Sequence, residues 1–224
     1  MDAMILAAGQ GTRMLPLTEK TPKPLLKVGG HSLLDYHLSL LADLGLKKVV
    51  INISHLHEKI DKYLKENSHL KIDIDLSVEE SGPIGTAEGI RQCVHKFTDD
   101  LVFVMSGDLF TDCRPQNLEL DDGYDAHLVL VPNPNHRSMG DFLFHDGILQ
   151  PLDNQKIGLT FSGIGIYRTE LFRDSKYTSN DLGDMLRQLV KEGKVSGEVY
   201  EGIWVDVGNI ERLEEARELA DSSL

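Results

Sequence analysis

A short apolar run at residues 3–7 of this 224-residue chain feeds a glycine turn, Gly9-Gln10-Gly11-Thr12-Arg13, and that junction constrains the fold more than any other stretch. The turn leads into an irregular segment carrying Pro16, Pro22, Lys23 and Pro24 before the next apolar run begins. Glycines at alternate positions let backbone N–H groups approach an anion, because no Cβ stands in the way. Arg13 adds a planar fork suited to phosphate oxygens, and Lys23 a compact charge. Pro22 and Pro24 remove backbone freedom on both sides of that lysine. The connection over 8–23 far exceeds the usual loop of about 4–6 residues; such loops are functional or disordered, and fixed prolines argue against disorder. The segment reads as a grip for a polyphosphate.

Strand-like and helix-like runs alternate after it. Residues 33–44 place Leu33, Leu34, His37, Leu38, Leu41 and Leu44 at helical spacing, with Gly45 as the C-terminal cap. Helices are also expected at 58–64, 86–95, 181–191 and 210–219. Strands are expected at 3–7, 48–53, 70–78, 101–105, 126–131, 158–167 and 195–200. Repeated β-α units with short connections predict an α/β/α sandwich around a mainly parallel, mixed sheet. Ligands of such sheets bind outside the carboxyl ends of the strands. The glycine turn and Asp108, which ends the strand-like run LVFVMSGD, both fall at that edge. No linker composition and no internal repeat, in particular no hexapeptide β-helix repeat, divides the chain, so a single domain over 1–224 is expected. Residues 132–157, rich in Pro, Asn, Asp and Gly, read as an insertion or lid bordering the pocket.

Composition narrows the partners. With 23 basic against 36 acidic residues the formal charge is −13, so no basic field invites nucleic acid. A net-negative protein that binds phosphates must concentrate cations, or recruit a metal, at the site itself. Cys93 and Cys113 make no disulfide framework and lack metal-ligand spacing. No signal-length apolar stretch follows a basic start, and no run reaches the roughly 18 apolar residues of a membrane span. A cytoplasmic protein, monomeric or a small homo-oligomer, is expected.

Better-known phosphate loops do not fit. A Walker A loop ends in Gly-Lys-Ser/Thr, and a dinucleotide fingerprint needs a third glycine where Met14 stands. The nine histidines form no zinc-binding pattern, and Ser106-Gly107 and Ser162-Gly163 lack the first glycine of a nucleophile elbow. Asp108 could cap a turn or hold a ligand. Asp206 lies in the apolar stretch Ile203-Trp204-Val205-Asp206-Val207, where an unpaired charge is costly and a partner is expected. An Arg or Lys would serve, as would Mg²⁺, usually held by one or two carboxylates and substrate phosphates.

Together these residues resemble the sugar-1-phosphate nucleotidylyltransferases, a Rossmann-like family. Its signature, Leu-Ala-Ala-Gly-x-Gly-Thr-Arg, then Pro-x-Thr, then Pro-Lys, stands complete here from Leu6 to Arg13, at Pro16-Leu17-Thr18 and at Pro22-Lys23. Gly107-Asp108 and Trp204-Val205-Asp206-Val207-Gly208 match as well. The resemblance implies that Arg13 and Lys23 contact the nucleotide phosphates and that Asp108 and Asp206 hold Mg²⁺. Ala8, Gly9, Glu80 and Gly85 would border the base, with Gly11 and Thr12 in the same nucleotide-binding turn. Gly140 and the strand carrying Ser162 would line the sugar pocket. Residues 1–110 would then serve mainly the nucleotide, and 111–224 mainly the sugar phosphate. The chain departs from many members at 150–157, where a Glu-Lys-Pro lysine is absent and Lys156 is the candidate substitute.

The implied reaction transfers a nucleotidyl group from a nucleoside triphosphate to a sugar 1-phosphate, releasing pyrophosphate. Absence of a β-helix, together with residues 159–164 and 193–208, resembles members that use UTP and N-acetylmuramate 1-phosphate in cell-wall recycling. Pro83-Ile84-Gly85-Thr86-Ala87 instead resembles guanylyl-transferring members. Mannose or heptose 1-phosphate with GTP, and glucose 1-phosphate with UTP or dTTP, stand as alternatives. A rival of another class is an inactive relative that binds sugar nucleotides and regulates a partner.

Overall fold

The computed structural model describes residues 1–67, 72–116, 118–153 and 155–222. In chain order the first strands are β1 (Asp2–Leu6), β2 (Lys27–Val28), β3 (His31–Ser32), β4 (Lys48–Ile53), β5 (Asp73–Val78), β6 (Leu101–Ser106) and β7 (Leu109–Thr111). They continue with β8 (Ala126–Val131), β9 (Phe142–His145), β10 (Ile148–Pro151), β11 (Thr160–Arg168), β12 (Val195–Val199) and β13 (Trp204–Asp206). The α-helices are α1 (Leu33–Asp43), α2 (His57–Glu66), α3 (Thr86–Cys93), α4 (Leu182–Lys191) and α5 (Ile210–Ser222). The chain divides into two compact units, one built from Asp2–Ile84, Ser106–Asp112 and Ile203–Leu224, the other from Met1, Gly85–Met105 and Cys113–Gly202.

In the first unit β4 lies between β1 and β5, parallel to both, with Val49 opposite Ala3 and Ile74. Ala3, Met4 and Ile5 are wholly buried, as are Val49, Val50 and Ile51. Such unbroken apolar runs are what a parallel strand covered on both faces requires. Helix α1 starts on a capping box, in which the Ser32 hydroxyl accepts from Asp35 N–H and the Asp35 carboxylate from Ser32 N–H. It ends at Gly45, whose φ of 75° lets the chain turn back so that Leu46 N–H reaches Leu41 O. Short β7 and β13 form an antiparallel ribbon. Val205 from its second strand and Val207 just after it pack with Met14, Leu33 and Leu213 in one core cluster. Full burial of each such side chain contributes about 1.5–3 kcal/mol. The glycine turn and the first turn of α5 are therefore anchored in a common core.

In the second unit β11 is antiparallel to both β6 and β8, and β8 runs parallel to β12. Strands β10 and β9 then add antiparallel neighbours beyond β12. The α/β fold with a mixed sheet is thus present. Within the expected insertion or lid at 132–157, residues 142–151 form a β-hairpin turned by Asp146 (φ 49°) and Gly147 (φ 81°), the positive-φ pair of a tight hairpin. Phe142 and Leu149 are buried at 2% and 1% exposure, which ties the hairpin to the sheet instead of leaving it mobile. Leu70 and Lys71, at the start of the strand expected over 70–78, lie outside the described residues. Among the described residues no helix is long and apolar enough to cross a membrane.

Candidate active site

The glycine turn is built from packing as much as from ligand approach. Gly9 has open space where a Cβ would stand. Gly11 does not: with φ 65° its Cβ would lie 2.8 Å from Thr18 Cγ2. The buried Thr18 hydroxyl donates to Gly11 O at 2.8 Å, so the Pro-x-Thr segment buttresses the turn from beneath. The long connection is not irregular throughout. It holds three short 3₁₀ turns, Thr12–Met14, Leu17–Glu19 and Lys23–Leu25, the last opened by Pro22 and with Pro24 inside it.

That last turn aims Lys23 at Asp108: its Nζ lies 2.6 Å from Oδ2, with the lysine side chain only 13% exposed. Asp108 sits between β6 and β7. The preceding Gly107 passes so close to the end of β1 that its N–H donates to Leu6 O at 2.8 Å, and an added Cβ would meet that same oxygen at 2.8 Å. Asp206 arrives on β13 opposite Leu109, and Val207 N–H donates to Asp108 O at 2.8 Å. The two carboxylate-bearing segments are therefore hydrogen-bonded neighbours. Asp206 is paired with Arg212 from α5. The Arg212 guanidinium occupies the place where Gly208 lacks a Cβ, and Arg13 Nη2 lies 3.6 Å from that position. Arg13, Lys23, Asp108 and Asp206 thus all belong to one unit. Behind them His37, fully buried, shares a 2.7 Å hydrogen bond with Leu109 O, and desolvation pushes its ring down to about 4. A neutral imidazole is the result at ordinary pH.

Ala8, Gly9, Thr12 and Glu80 belong to the same unit. Glu80 is exposed, on a cleft of about 570 Å³ lined also by Gln10 after β1 and by Ser54, His55 and Val78 at the ends of β4 and β5. Gly85, Gly140, Lys156 and Ser162 belong to the second unit. Gly85 (φ 107°) packs on Asn180 O, where a Cβ would stand at 2.4 Å. Gly140 packs on Gly158 and Asn133, and Asn133 bonds both Gly158 O and the Thr160 hydroxyl. Ser162 is buried, its hydroxyl accepting from Ile164 N–H, and Lys156 is exposed. Sequence reading missed Arg212 and a buried pair, Asn52 and Glu79, and placed Thr18 in the signature without this packing role. Only Arg212 left a signal, as a cation six residues beyond a carboxylate that needed one.

The model of the nucleotidyl transferase family matches residues 2–136. The chain belongs to that family. This nucleotidyl transferase is 41% identical over 227 residues to the N-acetylmuramate alpha-1-phosphate uridylyltransferase of Neisseria meningitidis serogroup B, covering 98% of each chain. It is 28% identical to the protein of the same name from Caulobacter vibrioides, over 92% of this chain and 91% of that one. A solved Bacillus anthracis structure, provisionally named a glucose-1-phosphate thymidylyltransferase, superposes with a TM-score of 0.85 at 22% identity, covering 98% of this chain and 95% of the other. At that identity the likeness speaks to the fold. The transferase assignment itself rests on the family match and the Neisseria relative.

Proposed function

We propose that this nucleotidyl transferase moves a uridylyl group from UTP to N-acetylmuramate 1-phosphate, releasing pyrophosphate, and that residues 1–224 act as one catalytic domain. The observation that carries the chemistry is the gathering of Lys23, Arg13 and two carboxylates around the Gly107–Asp108 and Asp206–Gly208 backbones. The Neisseria relative supports the choice of substrates.

A sugar 1-phosphate is a phosphate monoester with a second pKa near 6, so its oxygen is an ionised nucleophile at neutral pH and needs no general base. It attacks the α-phosphorus in line. The new bond joins sugar phosphate to that phosphorus, and the bond to the bridging oxygen of pyrophosphate breaks. Two anions must meet on a protein of net charge −13. Lys23 and Arg13 lower that barrier by holding charge on the triphosphate in a preformed site. Gly9, with no side chain in the way, lets the turn's backbone approach the phosphates.

The donor set suits Mg²⁺: two hard carboxylates on adjacent, hydrogen-bonded segments, completed by substrate oxygens. Asp108 and Asp206 would hold it, and when bound it supplies charge neutralisation at the transferring phosphate. The test is ³¹P detection of pyrophosphate from UTP and N-acetylmuramate 1-phosphate, with and without EDTA. Product should form with Mg²⁺ and stop on chelation. Equal rates with EDTA, or no pyrophosphate at all, would overturn the proposal.

A further inference from the structure

Strand β4 is apolar through Val49, Val50, Ile51 and Ile53, all with 0% exposure, and is broken only by Asn52 at its carboxyl end. Asn52 faces Leu6 on β1 and Ser77 on β5, the last stretch of both neighbours before they leave the sheet. Its side chain, 3% exposed, bridges the two departing chains. Oδ1 accepts from Ala7 N–H at 2.9 Å, and Nδ2 donates to Glu79 Oε1 at 2.7 Å. Glu79, 5% exposed, continues the link: its Oε2 accepts from Ile84 N–H at 3.1 Å, and its carbonyl accepts from the Ser54 hydroxyl at 3.0 Å.

A Val or Ile at position 52 would satisfy the pattern of a buried parallel strand without any polar cost. A buried polar network carries a desolvation penalty and in return fixes one geometry, because each misplaced member leaves an unsatisfied group. The geometry fixed here is the separation between the turn after β1, which carries Ala8 and Gly9, and the turn after β5, which carries Glu80. We propose that Asn52 and Glu79 are positioning residues for the nucleotide, a buried strut that spaces the two walls of the base site. The strut rests on the reading that Ala8, Gly9 and Glu80 border the base. It predicts control of nucleotide binding, with the sugar phosphate and the chemical step left largely alone.

The bonding pattern allows an unusual test. In Glu79→Gln one side-chain oxygen becomes an NH₂, which cannot accept from both Asn52 and Ile84. In Asn52→Asp two carboxylates face each other with no donor between them. The double variant Asn52→Asp/Glu79→Gln reverses the polarity of the middle bond. Asp at 52 then accepts from Ala7 and from the new amide, whose oxygen still accepts from Ile84. Steady-state kinetics with UTP varied should show each single variant raising KM for UTP about 10-fold, the size expected for one unsatisfied buried partner. The double variant should return to within about threefold of wild type, with KM for the sugar 1-phosphate unmoved throughout. Singles that lower Tm while leaving KM for UTP unchanged, or a double variant as weak as the singles, would overturn the strut. If a single variant fails to fold, Ser54→Ala removes only the bond to Glu79 O and should raise KM for UTP in the same direction; an unchanged KM there counts equally against it. Glu80→Ala separates the two readings. A raised KM for UTP in Glu80→Ala with unaffected strut variants rejects the strut alone, and an unchanged KM in Glu80→Ala rejects the base site beneath it.

Discussion

The ammonium of Lys23 stands 2.6 Å from Oδ2 of Asp108, joining residues 85 positions apart. A lysine held by two prolines meets a carboxylate held between two strands, so neither partner searches far for the other. In an acidic protein this pair holds a cation largely out of water and keeps the carboxylate neutralised.

Lys23→Ala and Asp108→Asn should each lower turnover by about 10²–10³-fold, the usual cost of losing one preorganised electrostatic group. Both side chains lie at the site and outside the apolar core cluster, so Tm should move little. Pyrophosphate release and thermal unfolding of the same samples check both statements. Wild-type turnover in either variant would remove Lys23 and Asp108 from the chemistry.

Arg212→Ala should raise the Mg²⁺ concentration for half-maximal turnover by about 10-fold or more, because the ion pair with Arg212 fixes the Asp206 carboxylate. Gly208→Ala should shift it the same way, since its new Cβ falls on the Arg212 guanidinium. A Mg²⁺ titration of activity in the two variants reads this directly. An unchanged midpoint in both would show that Asp206 needs no such support.

Gly107→Ala should destabilise the fold by about 1–3 kcal/mol, as overpacking against unyielding neighbours does. Its Cβ would meet a backbone oxygen, that of Leu6, at 2.8 Å, and Ala7 Cβ at 3.1 Å. Urea unfolding measures it.

The sequence made the parallel core legible, for identifiable reasons. Val49 to Ile53 and Leu33 to Leu41 carry strand and helix periods strong enough to read directly, and Gly45 ends its helix as glycine at a positive φ should. The hairpin at 142–151 is not legible as strands, because Pro, Asn and Gly around it outweigh the short apolar pattern of Phe142 and Leu149. Strands of two or three residues, such as β7 and β13, carry too few positions to show a period, although they bring Asp108 and Asp206 together. The Asn52–Glu79 pair stayed hidden for another reason. Its role depends on partners from separate elements, which no local pattern encodes.

His37 should make stability fall as pH drops. Its ring is held near 4 in the folded protein and titrates near 6.5 when unfolded. Between those values the unfolded chain binds the extra proton, so this contribution is complete above about pH 6.5 and is lost as pH falls toward 4. The full span is worth about 3 kcal/mol. Urea unfolding at pH 5 and pH 7.5 should show a smaller pH dependence in His37→Gln than in wild type. An equal dependence in the two would assign the effect to other groups.

The central claim is tested most directly by kcat/KM, read as pyrophosphate release with Mg²⁺, for UTP, GTP, dTTP and CTP each against N-acetylmuramate 1-phosphate, glucose 1-phosphate and mannose 1-phosphate. UTP with N-acetylmuramate 1-phosphate should give the highest value. A higher value for GTP with mannose 1-phosphate, or for any nucleotide with glucose 1-phosphate, would contradict the substrate assignment while leaving the transfer chemistry in place.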